Sequence, residues 1–135
     1  MHTRVWGLEY NPRFVVTLAR SREYPRRNGG SATVHFRTQS VRETFRVDRG
    51  RVVPDRTIEL VNAFGALGCH FDAQGARTVA AEVARVLKPG GWALIDSGSD
   101  GRLARIFTRS GFELIGSSRS SIFDRCQQLC LRRIH

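Results

Sequence analysis

Between Asp72 and Asp96 the sequence changes period, and that change restricts the fold more than any other feature. Asp72 is suited to cap a helix, and Val79, Val83, Val86 and Leu87 follow the helical repeat after it. Pro89-Gly90-Gly91 then stops the helix before WALID (92–96), an apolar run of strand length. Upstream, TIELVNAF (57–64) is a second mostly apolar run, of the kind expected of a strand covered on both faces in a parallel sheet. Strand, helix, strand at this spacing is the repeating unit of an α/β sheet with right-handed crossovers.

The flanking sequence extends the alternation. Val5–Leu8 reads as a short strand that Glu9 ends. Asn11-Pro12 then opens a helix in which Phe14, Val15, Leu18 and Ala19 form one apolar face, ending before Pro25. RRNGGS is a turn and ATVHF a second strand, whereas RVDRGRVVPDR (46–56) suits a hairpin or a loop equally. Ser99 or Asp100 caps a helix marked by Leu103, Ile106 and Phe107 and ending at Gly111. FELIGSS and RCQQLCLRR alternate as a closing antiparallel pair. The expected architecture is α/β: a Rossmann-like, mostly parallel sheet with helices on both faces and a C-terminal antiparallel pair, in a single domain over 1–135.

Composition narrows the setting. At 41% hydrophobic and 25% charged residues the 135-residue chain is globular. It has no apolar run near the roughly 18 residues of a membrane span, and MHTRVWGLEY lacks the apolar core of an export signal. The expected location is the cytoplasm, with no membrane partner. Cys69, Cys126 and Cys130 lack metal-ligand spacing to a fourth residue and read as reduced thiols. The net charge of +10 is carried almost wholly by arginine, with twelve arginines against five acids in residues 1–56. That raises nucleic acid as a partner. The arginines are scattered without regularly interleaved aromatics, which favours a solvated basic face instead.

EVARVLKPGGWALID, followed by a helix and SGFELIG, resembles the class I S-adenosylmethionine-dependent methyltransferases, in which such stretches lead into the fifth and sixth strands. TIELVNAFGALGCHF resembles the fourth strand and its loop, VHFRTQSV the third strand, and VWGLEYNPRFVVTLAR the second strand with its helix. The resemblance spans nearly the whole chain in the family's order. It implies that the first strand and its glycine-rich loop are not in this sequence, since GGS at 29–31 precedes the third strand and lacks the family's spacing. The chain is therefore expected to be an incomplete, C-terminal portion of a methyltransferase domain. Its second and fourth strands would expose unpaired edges, open to self-association.

The same resemblance implies a cofactor site for S-adenosylmethionine. Glu9 would accept from both ribose hydroxyls, and Tyr10 would pack against the adenine. Ser40 replaces the family's frequent aspartate, while Val41 would offer a backbone amide near the ring. Asn62, Ala63 and Phe64 would lie beside the transferred methyl. His70, in GCHF, matches a place where relatives often carry a histidine and is the one candidate proton acceptor. Methyl transfer is a direct displacement that needs alignment and desolvation more than a base, and the acceptor substrate is not legible. The competing expectations are an inactive remnant acting as a binding or scaffolding module, a basic nucleic-acid binder, and a nicotinamide-binding sheet.

Overall fold

The computed structural model describes residues 2–9, 22–25, 29–63, 67, 71–98, 101–118 and 127–135. The chain divides into two compact units, Met1–Val52 and Val53–His135.

The first unit is built on strands β1 (His2–Glu9), β2 (Arg22–Pro25) and β3 (Ser31–Thr38), in the order β1-β3-β2. β1 and β3 run parallel, from His2 opposite Ser31 to Glu9 opposite Thr38, and β2 runs antiparallel to β3. Directly opposed residues of a parallel pair share a face. Accordingly the Trp6 and His35 rings stack 6.2 Å apart, and the His2 ring lies within hydrogen-bond reach of Ser31 Oγ (2.7 Å) and Thr33 Oγ1 (3.0 Å). β4 (Arg46–Val47) and β5 (Arg51–Val52) form an antiparallel hairpin around a single 3₁₀ turn, Asp48–Gly50. The segment left open between hairpin and loop is thus a hairpin. Its reversal places Arg49 (φ 53) and Gly50 (φ 79) in the left-handed region, and the Arg46 Nη1 donates to the Gly50 carbonyl (2.9 Å).

The second unit carries β6 (Ile58–Ala63), α1 (Ala73–Val86), β7 (Leu87–Asp96), α2 (Arg102–Arg109), β8 (Phe112–Ser117) and β9 (Gln128–Arg133). Its sheet has the order β6-β7-β9-β8, with β6 and β7 parallel and β9 inserted antiparallel to both of its neighbours. Among the described residues, β1 and β6 each have a strand neighbour on one side only. Asp72 caps α1 as expected, its Oδ1 accepting from the Gly75 amide at 2.7 Å. Ala76, Val79, Ala80, Val83 and Val86 line the buried face of α1, and Leu103 and Phe107 that of α2. Ala93, Ile95, Leu129 and Leu131 complete the core from the sheet, and the Phe107 and Phe112 rings meet at 5.3 Å. Arg85 fastens the entry to the unit. It forms a fork with Glu82 (2.9 and 2.6 Å) and also donates to Asp55 Oδ1 (2.6 Å) and the Val53 carbonyl (2.7 Å). The hydrogen bonds to Glu82, and then to Asp55, outweigh desolvation and hold its guanidinium protonated above the ordinary arginine range.

Several local expectations are corrected. Arg22–Pro25, read as the run-out of a helix, is strand β2, stabilised by pairing with β3; the rest of the expected helix lies outside the described residues. α1 ends at Val86, one residue short of Leu87, and the extended segment begins before the Pro-Gly-Gly. Gly91 is there for space: a Cβ would stand 2.9 Å from the Lys88 carbonyl oxygen and 3.2 Å from that of Glu59. The cap of α2 is Gly101 (φ 69), with no side-chain hydrogen bond, in place of Ser99 or Asp100, which lie outside the described residues. β6 is not covered on both faces, because Leu60 is 54% exposed and Asn62 is also exposed.

Candidate functional site

In open α/β sheets, ligands bind at the carboxyl ends of parallel strands, and each unit has such an end.

In the first unit it is Glu9, the last residue of β1, half-buried. Its carbonyl accepts from the Gln39 amide at 3.0 Å, so the residue after β3 is pinned to the end of β1. Gln39 is itself buried. Its Nε2 donates to the Thr44 carbonyl (2.6 Å) while its Oε1 accepts from the Arg46 amide (3.0 Å). The segment between, Ser40–Phe45, is therefore closed into a compact loop. Within it the Glu43 amide donates to the Ser40 carbonyl (3.2 Å), the Arg42 amide donates to Ser40 Oγ (3.2 Å), and the Phe45 ring is buried. Glu9 is thereby brought together with Ser40 and Val41, both half-buried. Because the Ser40 hydroxyl already accepts from the Arg42 amide, its O–H remains for donation to a ligand. Tyr10 lies outside the described residues.

In the second unit, Asn62 and Ala63 end β6, opposite Leu94 and Ile95 of β7. Asp96 and Ser97 follow, both buried. Ser97 is fixed against the Gln127 backbone, its amide donating to the Gln127 carbonyl (2.8 Å) and its side-chain Oγ accepting from the Gln127 amide (3.0 Å). Arg102 at the start of α2 donates to the Phe71 carbonyl (2.7 Å), tying that helix to the residue before the α1 cap. Phe64, Cys69, His70 and Cys126 lie outside the described residues; Cys130, on β9, is a half-buried thiol. Asn62 and Ala63 belong to this unit, and Glu9, Ser40 and Val41 to the other.

Two residues escaped the sequence reading. Gln39 stood in RTQSV as an unremarkable polar residue, and only a buried amide with both ends paired reveals it. Asp96 had a legible signal, an acid closing the apolar run WALID at the carboxyl end of a parallel strand.

No protein-family model matches the sequence, and no curated protein matches it. Solved structures do. An S-adenosylmethionine-dependent methyltransferase of Methanosarcina mazei superposes with a TM-score of 0.68 over 97% of this chain and 82% of its own, at 16% identity. The N-methyltransferase NodS of Bradyrhizobium japonicum gives 0.66 over 99% and 86%, at 11% identity. The fold is that of the class I methyltransferases. NodS has also been solved with S-adenosyl-L-homocysteine bound. The mixed α/β architecture, with parallel pairs β1–β3 and β6–β7 and antiparallel strands beside them, matches that of these methyltransferases. Among the described residues no helix is long and apolar enough to cross a membrane.

Proposed function

We propose that this chain acts in S-adenosylmethionine-dependent methyl transfer to a nucleophilic substrate in the cytoplasm. The observation that carries the reading is the placement of Glu9, a half-buried carboxylate at the carboxyl end of β1, pinned through Gln39 to the Ser40–Phe45 loop in a methyltransferase fold. The residues fit the nucleoside part of the cofactor. A carboxylate is an acceptor for two vicinal hydroxyls, and the loop beside it offers the Ser40 hydroxyl and the Val41 backbone to a purine.

In this reading Glu9 holds the ribose, Tyr10 packs on the adenine, and Ser40 and Val41 meet its edge. In the second unit, Asn62, Ala63 and Phe64 after β6 are the candidates to meet the transferred methyl, and His70 the candidate to take the proton that the acceptor loses. When bound, the cofactor supplies a methyl group on a positively charged sulfur. The chain's own task is to orient the acceptor and exclude water. The test is photolabelling: ultraviolet cross-linking of methyl-tritiated S-adenosylmethionine to the full chain, with peptide mapping. Label in the peptides carrying Glu9 or Ser40–Val41, abolished by excess S-adenosylhomocysteine, is the expected result. Label that resists competition would refute the reading.

A further inference from the structure

We infer that Gln39 is the positioning residue of the nucleoside site, a latch whose side-chain amide holds the Ser40–Phe45 loop in its ligand-ready form. The inference rests on the cofactor reading above and adds to it a residue that contacts no ligand. Three observations converge on it. The Gln39 backbone amide reaches the Glu9 carbonyl (3.0 Å), so its position is set by the end of β1. Its side chain spans the loop to the far side, donating to the Thr44 carbonyl (2.6 Å) and accepting from the Arg46 amide (3.0 Å). It is 6% exposed, the one buried polar side chain among the described residues of the first unit.

The chemistry admits one orientation. Thr44 presents an acceptor and Arg46 a donor, so the amide satisfies both only with its nitrogen toward the first and its oxygen toward the second. A flipped amide would set like groups against like. Breaking the latch leaves a carbonyl and an N–H unpaired, a larger penalty than the hydrogen bonds were worth. The loop can escape that penalty by opening to water. Ser40 and Val41, one and two residues beyond Gln39, would then be displaced from Glu9. Ligand binding would have to reorder them, and that ordering cost lowers affinity.

Gln39→Met keeps the size and removes both hydrogen bonds. Gln39→Glu keeps the acceptor and loses the donor at neutral pH, regaining it when the carboxyl is protonated. With the full chain, S-adenosylhomocysteine binding is measured by calorimetry, and amide hydrogen exchange over 39–46 by mass spectrometry. Gln39→Met should weaken binding about five- to twentyfold and lose protection only within 39–46, with the second unit's protection unchanged. For Gln39→Glu the deficit relative to wild type should shrink as pH falls from about 8 to 5, which a general packing defect would not do. Wild-type affinity in both variants, or exchange unaltered over 39–46, overturns the latch. If the wild type itself binds no S-adenosylhomocysteine, the cofactor reading falls and the latch is decided by exchange alone: protection lost only within 39–46 supports it, and unaltered exchange overturns it.

Discussion

Among the described residues, the two units are held by different forces. In Val53–His135 the described core is apolar and closed: Ala76, Ala80, Val86, Leu87, Ala93, Ile95, Leu103, Phe107 and Leu131 are all fully buried. In Met1–Val52, Phe45 is the one buried apolar side chain among the described residues. Its order comes from strand pairing, the Trp6–His35 stack and the bonds of Gln39. The first unit also carries eleven arginines against four acids, and the second ten arginines and one lysine against eight. Apolar burial supplies stability in proportion to area removed from water, so the second unit is the stable platform. The described residues of the first are organised mainly by polar contacts.

The largest effect that would sharpen this contrast is in the second core. Phe107→Ala, at a fully buried ring packed on Phe112, should cost about 3–5 kcal/mol in urea unfolding. Val5→Ala, on a 43% exposed side chain of β1, should cost less than about 1 kcal/mol. Comparable losses at both sites would break the comparison.

Next in size is Gly91. Its added methyl meets backbone oxygens at 2.9 and 3.2 Å, which cannot yield as a side-chain tip would. Gly91→Ala should therefore cost about 1–3 kcal/mol. Gly116→Ala, with open space around the new methyl, should be neutral or stabilising by up to about 1 kcal/mol. Thermal melts of the two variants should move apart.

A smaller loss than at Phe107 or Gly91 is expected at Arg85. Arg85→Met removes a fork to Glu82, a bond to exposed Asp55 and a bond to the Val53 carbonyl, and screening limits the loss to about 1 kcal/mol. Because the folded chain raises the arginine's pKa, its contribution is complete below the ordinary arginine value and is lost only as pH rises through the higher folded value. It should thus be flat between about pH 6 and 9. A stability difference between Arg85→Met and wild type that varied steeply across that range would show that another group governs the site.

Legibility followed the same division. β6, α1, β7, α2, β8 and β9 were readable because apolar periodicity records burial, and burial dominates the second unit. Asp72 was readable as a cap because capping is a local interaction between neighbours. β2 was not, since Arg22–Pro25 owes its extended form to β3, a tertiary partner that REYP does not announce. The exposure of Leu60 was hidden for the same reason: an apolar residue does not state which face of its strand is covered. Of the candidate site, Glu9 was legible from its place after an apolar strand. The role of Gln39 was not, because it depends on two backbone groups five and seven residues ahead.

The central claim is that the first unit binds the nucleoside of S-adenosylmethionine through Glu9, and calorimetry of S-adenosylhomocysteine with the full chain tests it most directly. Wild type should bind. Glu9→Ala should lose about 1.5–3 kcal/mol, roughly tenfold to a hundredfold in affinity, the scale of hydrogen bonds to a charged acceptor. Glu9→Gln should lose less, because its amide oxygen still accepts from one hydroxyl. Affinity for Glu9→Ala within twofold of wild type would contradict the claim and reduce Glu9 to an acid that merely ends a strand.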